Sequence, residues 1–322
     1  MTIRLLAFCL ILSSIFSGLR VRESRDYFEY HSLIAEAEWL IVEDDIDGAL
    51  AKYEDIFARY DFVFLRDYKV AAQLAVFLNQ KKKAFELIKR GLSAGWELKE
   101  IKRNQFLKPL LKDPDWRPIE QSYDQLYDRY EMRIDADLRE QVRQMFKRDQ
   151  KKAMGALFRI GNGSQEKYGS EKFAPHSEMQ MMELLDILDS KGYPGEKLID
   201  NNFWMSTIIS HHNSISKNYV RNDTLFDHIK PRLLKAIEDG EMSPYEYALV
   251  DDWKKAVAFE RRVAGYGYLI SPKDSTLEET NLMRKKIGLR SIELRNKLVE
   301  IENKTGMNFY LPDWIDGKID IE

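Results

Sequence analysis

The feature that most constrains the fold is a helical pattern that recurs within the first third of the chain. Its small residues, which suit points where two helices cross, return 35 residues later: Ala37, Ala49 and Leu50 are followed by Ala72, Ala84 and Phe85. A period of this length is typical of helix hairpins that stack side by side. Such arrays usually offer a surface to other chains, so the pattern favours binding over chemistry.

The hairpin boundaries follow from polar turns between the apolar stripes. We expect one hairpin over residues 27–60 and a second over 65–94. A third, degenerate unit lies around 106–111, and one further helix is predicted over 115–130. The array as a whole is assigned to residues 27–130, with atypical outer units that cap the stack.

The remainder of the chain also has helical periodicity. Residues 134–306 are predicted to form a helical domain, and 307–322 a loosely ordered C-terminal tail. The glycine-rich stretch 161–169 is expected to be a mobile loop, and 268–270 a short strand. Because alternating strand patterns do not recur, we predict an all-α fold in which a short array of α-hairpins packs on a C-terminal helical bundle.

Two serine-led patterns are predicted to begin helices. In a capping box, the side chains of the first and fourth residues bind each other's free backbone amides. Ser177 with Gln180 fits this pattern, and Ser243 with Glu246 fits it better because Pro244 occupies the first helical position.

The N-terminal segment has the layout of a secretory signal. After Arg4 no charge occurs until Arg20, and the apolar stretch is shorter than the ~20 residues that span a bilayer. We expect residues 1–18 to be a cleaved signal, with an uncleaved membrane anchor as the alternative. Cys9 is the only cysteine, so the cleaved chain would contain neither disulfides nor cysteine metal ligands.

Length and charge exclude one class of partner. A chain of 322 residues suits two domains at ~150 residues each. Its net charge is −3 with both signs interspersed, which lacks the basic surface of a nucleic-acid-binding protein. The run Lys81-Lys82-Lys83 is interpreted as a solvated turn between helices.

Several short motifs occur in a fixed order along the second half. They are Asp149-Gln150, Gly192-Tyr193-Pro194, His211-His212, Gly240-Glu241, Ala248, Asp251-Asp252, Tyr266-Gly267, Asn281, Arg284 and Ile287-Gly288-Leu289. Their order resembles that of an uncharacterised bacterial domain of unknown function, found in secreted proteins and sometimes behind helical repeats. The first part is similar to tetratricopeptide-type repeat proteins. The family pattern has an arginine and a small polar residue where this chain has Trp253 and Tyr268, and neither resemblance implies a reaction.

His211 and His212 are the sharpest candidates for chemistry. Adjacent helical residues point ~100° apart, so one is expected to face neighbouring helices and the other water. They cannot jointly bind one ion, and no HExxH zinc motif is present. A catalytic cluster with Glu241, Asp252 and Tyr266 is one hypothesis, and a hydrogen-bonded structural histidine is the other.

Asp200 and Asp251 are further carboxylates that adjoining helices could bring to the histidines. For Asp251 and Asp252 together, a solvated charged face is the alternative, and Tyr266-Gly267-Tyr268 can equally be a turn that ends a helix.

Two functions remain open at this point. The first is an exported bacterial helical-repeat protein, periplasmic or secreted, that binds a protein or peptide partner. The second is a hydrolase or metal-using enzyme in the C-terminal domain. No cofactor-binding residues are predicted, the identity of any metal or cofactor is unknown, and membrane contact is expected only through an uncleaved N-terminal segment.

Overall fold

The computed structural model describes residues 26–159, 161–312 and 314–322. The predicted signal at 1–18 lies outside this part of the chain, as does Cys9. The described residues are helical and contain no strand, which confirms the all-α prediction.

The helices follow one another with short connections. In chain order they are α1 (Tyr27–Val42), α2 (Ile46–Arg59), α3 (Leu65–Phe77), α4 (Lys81–Leu92), α5 (Leu98–Arg103), α6 (Trp116–Gln121), α7 (Tyr123–Arg133), α8 (Ala136–Leu157), α9 (Asn162–Tyr168), α10 (Ala174–Ser190), α11 (Glu196–Ile199), α12 (Trp204–His212), α13 (Lys217–Asn222), α14 (Leu225–Glu238), α15 (Pro244–Phe259), α16 (Leu277–Lys286) and α17 (Ile292–Thr305). Short 3₁₀ turns cover Lys108–Lys112 and Asp274–Thr276, and a π-turn covers Gly169–Phe173.

Residues 27–92 form two helix hairpins, α1 with α2 and α3 with α4. The small residues of the sequence repeat lie at their contacts, since Ala37, Ala49, Ala72 and Ala84 are fully buried. The carboxylate of Asp45 accepts the Gly48 amide and so fixes the start of α2. The predicted helix over 115–130 is two helices, α6 and α7.

The described residues build two apolar cores. The first joins the helices from α1 to α6 and includes Leu294 and Leu298 of α17, although these belong to the far end of the sequence. The second joins most of the helices from α8 to α16. α17 therefore packs against α1, and the two halves share this helix.

The predicted loose tail from residue 307 onward is instead packed on the first hairpins. The Gln73 amide group donates to the Asn308 carbonyl (2.7 Å) and accepts the Asn308 N–H (2.9 Å). Arg66 Nε donates to the Phe309 carbonyl (2.9 Å), and Phe309 is fully buried. One face of α1 and α3 is therefore covered by α17 and residues 307–309.

Other sequence expectations differ from the structure. The glycine-rich stretch predicted as a loop forms α9 and the π-turn after it. The capping box at Ser243 and Glu246 is confirmed, but Ser177 and Gln180 lie inside α10, where both are buried. A proline inside a helix usually kinks or interrupts it, and a break was expected at Pro231, but α14 continues through this residue. Within the described residues, no helix combines the length and apolar character that crossing a bilayer requires.

Candidate functional site: a cavity between the two halves

A cavity of about 780 Å³ lies where the first hairpins meet the C-terminal helices and the end of the chain. Its lining combines charged and polar groups with aromatic ones. The charged and polar side of the lining comprises His31, Arg66, Asp67, Glu196, Asn202, Ser206, Thr207, Ser243, Arg290 and Asn308. The apolar side includes Ile34, Phe64, Phe203, Tyr245, Leu249, Leu289, Tyr310, Leu311 and Trp314.

Two arginines of the cavity lining are held by one buried glutamate. Glu38 of α1 is fully buried and accepts from Arg290 Nε (2.6 Å) and Nη2 (2.9 Å) as well as from Arg66. Burial alone would raise the pKa of Glu38, but the two guanidinium groups outweigh it and hold the pKa below its ordinary value. Arg66 also pairs with Asp67 (2.8 Å), so the pairs fix both arginines in the cavity wall.

His31 stands beside these arginines as a neutral imidazole. Burial lowers its pKa to about 3, and the positive charges of Arg290 and Arg66 act in the same direction. Its Nε2 is buried and has no hydrogen-bond partner among the described residues. A buried polar atom without a partner is unusual, so this nitrogen offers a bonding position.

Glu196 supplies a carboxyl group from the other side of the cavity. Its Oε1 accepts the Leu65 N–H at 2.7 Å and so substitutes for a cap at the start of α3, where Phe64 offers none. Burial raises the pKa of Glu196 to about 7. Its Oε2 makes no hydrogen bond to the described residues, and the same holds for Nη1 of Arg290.

Of the residues predicted from sequence, His212 is structural. It is fully buried, with Nδ1 3.0 Å from Ser177 Oγ and Nε2 3.3 Å from Asp223 Oδ1. The three residue types match a hydrolytic triad, but both the histidine and Ser177 are closed to solvent, so the serine cannot meet a substrate. This contact links α10, α12 and the turn before α14.

His211 faces outward, as the sequence predicted for one member of the pair. Its side chain is 29% exposed, and its Nδ1 lies 2.6 Å from Oδ2 of Asp149, which is fully buried. The imidazole lines a second pocket of about 450 Å³ together with Phe173 and Ser214. A carboxylate on one ring nitrogen and a pocket beside the ring is an arrangement that suits a general base.

Glu241 and Asp252 bind backbone amides. Glu241 accepts the Tyr193 N–H at 2.9 Å, and its carboxylate lies where a side chain at Gly192 (φ +93°) would project. Asp252 accepts the Tyr266 N–H (2.6 Å) and two more amides, of Tyr268 and Leu269. The strand predicted at 268–270 does not form, and two of its amides, those of Tyr268 and Leu269, are bound to this carboxylate.

The remaining candidates also have structural partners. Asp251 pairs with Lys230 (2.8 Å) and Lys255 (3.0 Å), and Asp200 accepts from the Tyr130 hydroxyl. No hydrogen bond or ion pair among the described residues joins either histidine to Glu241, Asp252 or Tyr266. The same part of the chain holds no group of three or more His, Cys, Asp or Glu residues placed to bind a metal ion.

Comparison with known proteins adds nothing to this geometry, because no family model, curated protein or solved structure matches the chain. The resemblances to tetratricopeptide repeats and to a bacterial domain of unknown function remain predictions.

The cavity was not predicted from the sequence, because the residues that form it are far apart in the chain. Glu38 contacts an arginine 252 positions away, and Glu196 contacts an amide 131 positions away. The one available signal was Glu38 itself, a carboxylate between Ala37 and Trp39 on the apolar stripe of α1.

Proposed function

We propose that this chain is a binding protein whose ligand occupies the cavity between the two halves. A volume of about 780 Å³ lies within the ~300–1,000 Å³ range of small-ligand sites. The mixture of an apolar wall and a few convergent polar groups is also typical of such sites.

The polar groups favour a short peptide with free ends over a wholly apolar ligand. Arg290 Nη1 can donate to a carboxylate, and Glu196 Oε2 can accept from an amine. Phe64, Phe203 and Tyr245 provide aromatic surface for a side chain. The peptide partner expected from the repeats is therefore retained, but at the cavity and not along the covered face of α1 and α3.

The observation that carries this proposal is the unused bonding capacity of charged groups in the cavity lining. Both arginines are already fixed by Glu38, so a ligand would meet donors whose orientation is set before it arrives. Because the arginine is held in place, little side-chain entropy is lost when the ligand binds.

The test is calorimetric titration with the tripeptide Ala-Phe-Ala and with its N-acetylated, C-amidated form. A charge-assisted hydrogen bond contributes about 1.5–3 kcal/mol, so the capped peptide should bind at least ~10-fold more weakly. Ala35→Trp should abolish binding because Ala35 lines the cavity. Ala51→Trp on the exposed side of α2 is the matched control and should bind like the wild type.

Circular dichroism and thermal unfolding of both tryptophan variants show whether each is folded. Equal affinity of Ala35→Trp and wild type, or no binding of either peptide, would contradict the proposal. The predicted export depends on residues 1–18 and is proposed on the sequence alone.

The pair formed by His211 and Asp149 supports a second candidate function, hydrolysis in which His211 acts as the general base. Asp149 orients the imidazole, and the adjoining pocket admits a substrate. Hydrolysis of p-nitrophenyl acetate should fall about 10²-fold or more in His211→Gln. The exposed His228 is the control, since His228→Gln should leave the rate unchanged. A wild-type rate equal to that of His211→Gln would eliminate this candidate.

A further inference from the structure

The C-terminal half of α8 exposes a group of large apolar side chains. Phe158 is 77% exposed and Met154 is 51% exposed. With Phe146 they line a shallow groove of about 480 Å³. The Phe146 ring also lies 5.7 Å from that of Phe203, which is 51% exposed. Adjoining exposed apolar side chains of this size often mark an interaction surface.

Helix geometry gathers lysines around the same groove. Residues three and four apart share a helix face, so Lys147 and Lys151 lie beside Met154 and Phe158. Both lysines line the groove and are exposed. We call these four residues with Phe146 the α8 patch.

The protein neutralises only part of the positive charge of this region, since Arg143 pairs with Glu140 and Arg148 with Glu183. Residues 143–159 contain six basic residues and one acidic residue, although the whole chain carries a net charge of −3. That acidic residue, Asp149, is buried against His211. Neither Lys147 nor Lys151 forms an ion pair with the described residues, and the flanking Lys152 also forms none.

We propose that the α8 patch binds an anionic lipid surface. Apolar side chains flanked by lysines are the composition of helices that lie in a membrane interface. Phe158 and Met154 would enter the boundary of the acyl chains, while the lysines contact lipid phosphates. Charge complementarity favours this partner, because each basic residue near an anionic membrane raises the partition coefficient about fivefold.

The experiment is co-sedimentation of the full chain with phosphatidylcholine vesicles, with and without phosphatidylglycerol. The wild type should bind the mixed vesicles and lose most of that binding in high salt. Lys147→Glu with Lys151→Glu should weaken binding ~25-fold or more, from two contributions of about fivefold each. Lys82→Glu with Lys112→Glu makes the same charge change at exposed positions elsewhere and should lower binding far less.

A second pair of variants tests the apolar part. Phe158→Ser should weaken binding, whereas Met132→Ser, at a residue 78% exposed outside the patch, should not. Equal binding to vesicles without phosphatidylglycerol, unaffected by the lysine changes, would assign membrane binding to the N-terminal segment and overturn the proposal. Absence of vesicle binding would overturn it as well and leave an acidic protein face as the partner. Neither result bears on the cavity, which the tripeptide titration tests separately.

Discussion

The cavity has two walls: a hairpin wall, which includes His31, Phe64 and Arg66, and a C-terminal wall, which includes Ser243, Pro244 and Tyr245. Each wall adjoins a buried glutamate, and the two carboxyl groups are stabilised in opposite protonation states. On the hairpin wall, Glu38 is ionised and bound by two arginines. Beside the C-terminal wall, Glu246 is buried with no cation partner among the described residues. Its carboxyl group accepts from the Tyr193 hydroxyl (3.0 Å) and the Ser243 N–H (3.1 Å), and burial raises its pKa to about 8.

This difference gives the two walls opposite responses to pH. Glu38 has a lowered pKa in the folded state, so its contribution to stability is lost as pH falls through that value. Glu246 has a raised pKa, so its contribution is present below its ordinary value of 4.5 and is lost as pH rises toward 8. The hairpin wall is stabilised while Glu38 stays ionised, and the C-terminal wall is stabilised while Glu246 stays protonated.

The largest expected effect comes from removing the charge on the hairpin wall. Glu38→Ala removes the carboxylate that binds Arg290 and leaves Arg66 paired with Asp67 alone, which should lower the free energy of unfolding by about 3–5 kcal/mol. Urea unfolding measures the change. Glu36→Ala on the same helix is the control, because its carboxylate is 58% exposed and its pair with Lys52 should contribute less than about 1 kcal/mol.

Equal losses in the two variants would show that Arg66 and Arg290 find other partners or water. The hairpin wall would then not depend on Glu38, and the comparison between the walls would fail on that side.

Local patterns predicted the helices well and the polar contacts between them poorly. The capping box at Ser243 and Glu246 was found because its atoms lie within four residues. The same pattern at Ser177 and Gln180 gave a wrong prediction of a helix start. Ser177 contacts His212 and Gln180 contacts the Met145 carbonyl, each 35 positions away. Spacing alone cannot separate a cap from a buried polar contact.

The end of the chain shows the same limit. Residues 307–322 have no clear periodicity, so a loose tail was expected. Gln73 and Arg66 hold residues 308 and 309, and Arg295 and Asn296 hold residues 315, 317 and 319. All of these contacts are to backbone groups, which no side-chain pattern of the tail reveals. Of the predicted site, helix geometry gave one buried and one outward-facing histidine, but it did not say that His212 is the buried one and His211 the outward one. Helix geometry did not predict the cavity, because the cavity forms only when distant segments meet.

The next largest effect concerns the C-terminal wall, beside which Glu246 is protonated. Glu246→Gln carries no charge at any pH, so the wild type should lose stability relative to this variant as pH rises from about 5 to about 8. The difference should be on the order of 2–4 kcal/mol, from the span between the two pKa values. Urea unfolding at several pH values gives the curve.

Glu43→Gln is the control for this series, since Glu43 is exposed. Its stability should follow that of the wild type across the range. If Glu246→Gln did the same, the carboxyl group would be ionised in the folded protein, and the two walls would not differ in kind.

The smallest expected effect concerns the segment that joins the walls. Gln73→Ala removes both hydrogen bonds to Asn308 from a fully buried site, which should lower stability by about 1–3 kcal/mol. Because Gln73 holds Asn308 in place, amide hydrogen exchange should speed up more in residues 307–311, which include part of the cavity lining, than in the hairpins. Gln144→Ala, which removes an exposed glutamine bonded to Glu140, should leave those amides unchanged. Unchanged exchange in Gln73→Ala would mean that the burial of Phe309 alone holds this segment, and that the cavity wall does not depend on the glutamine.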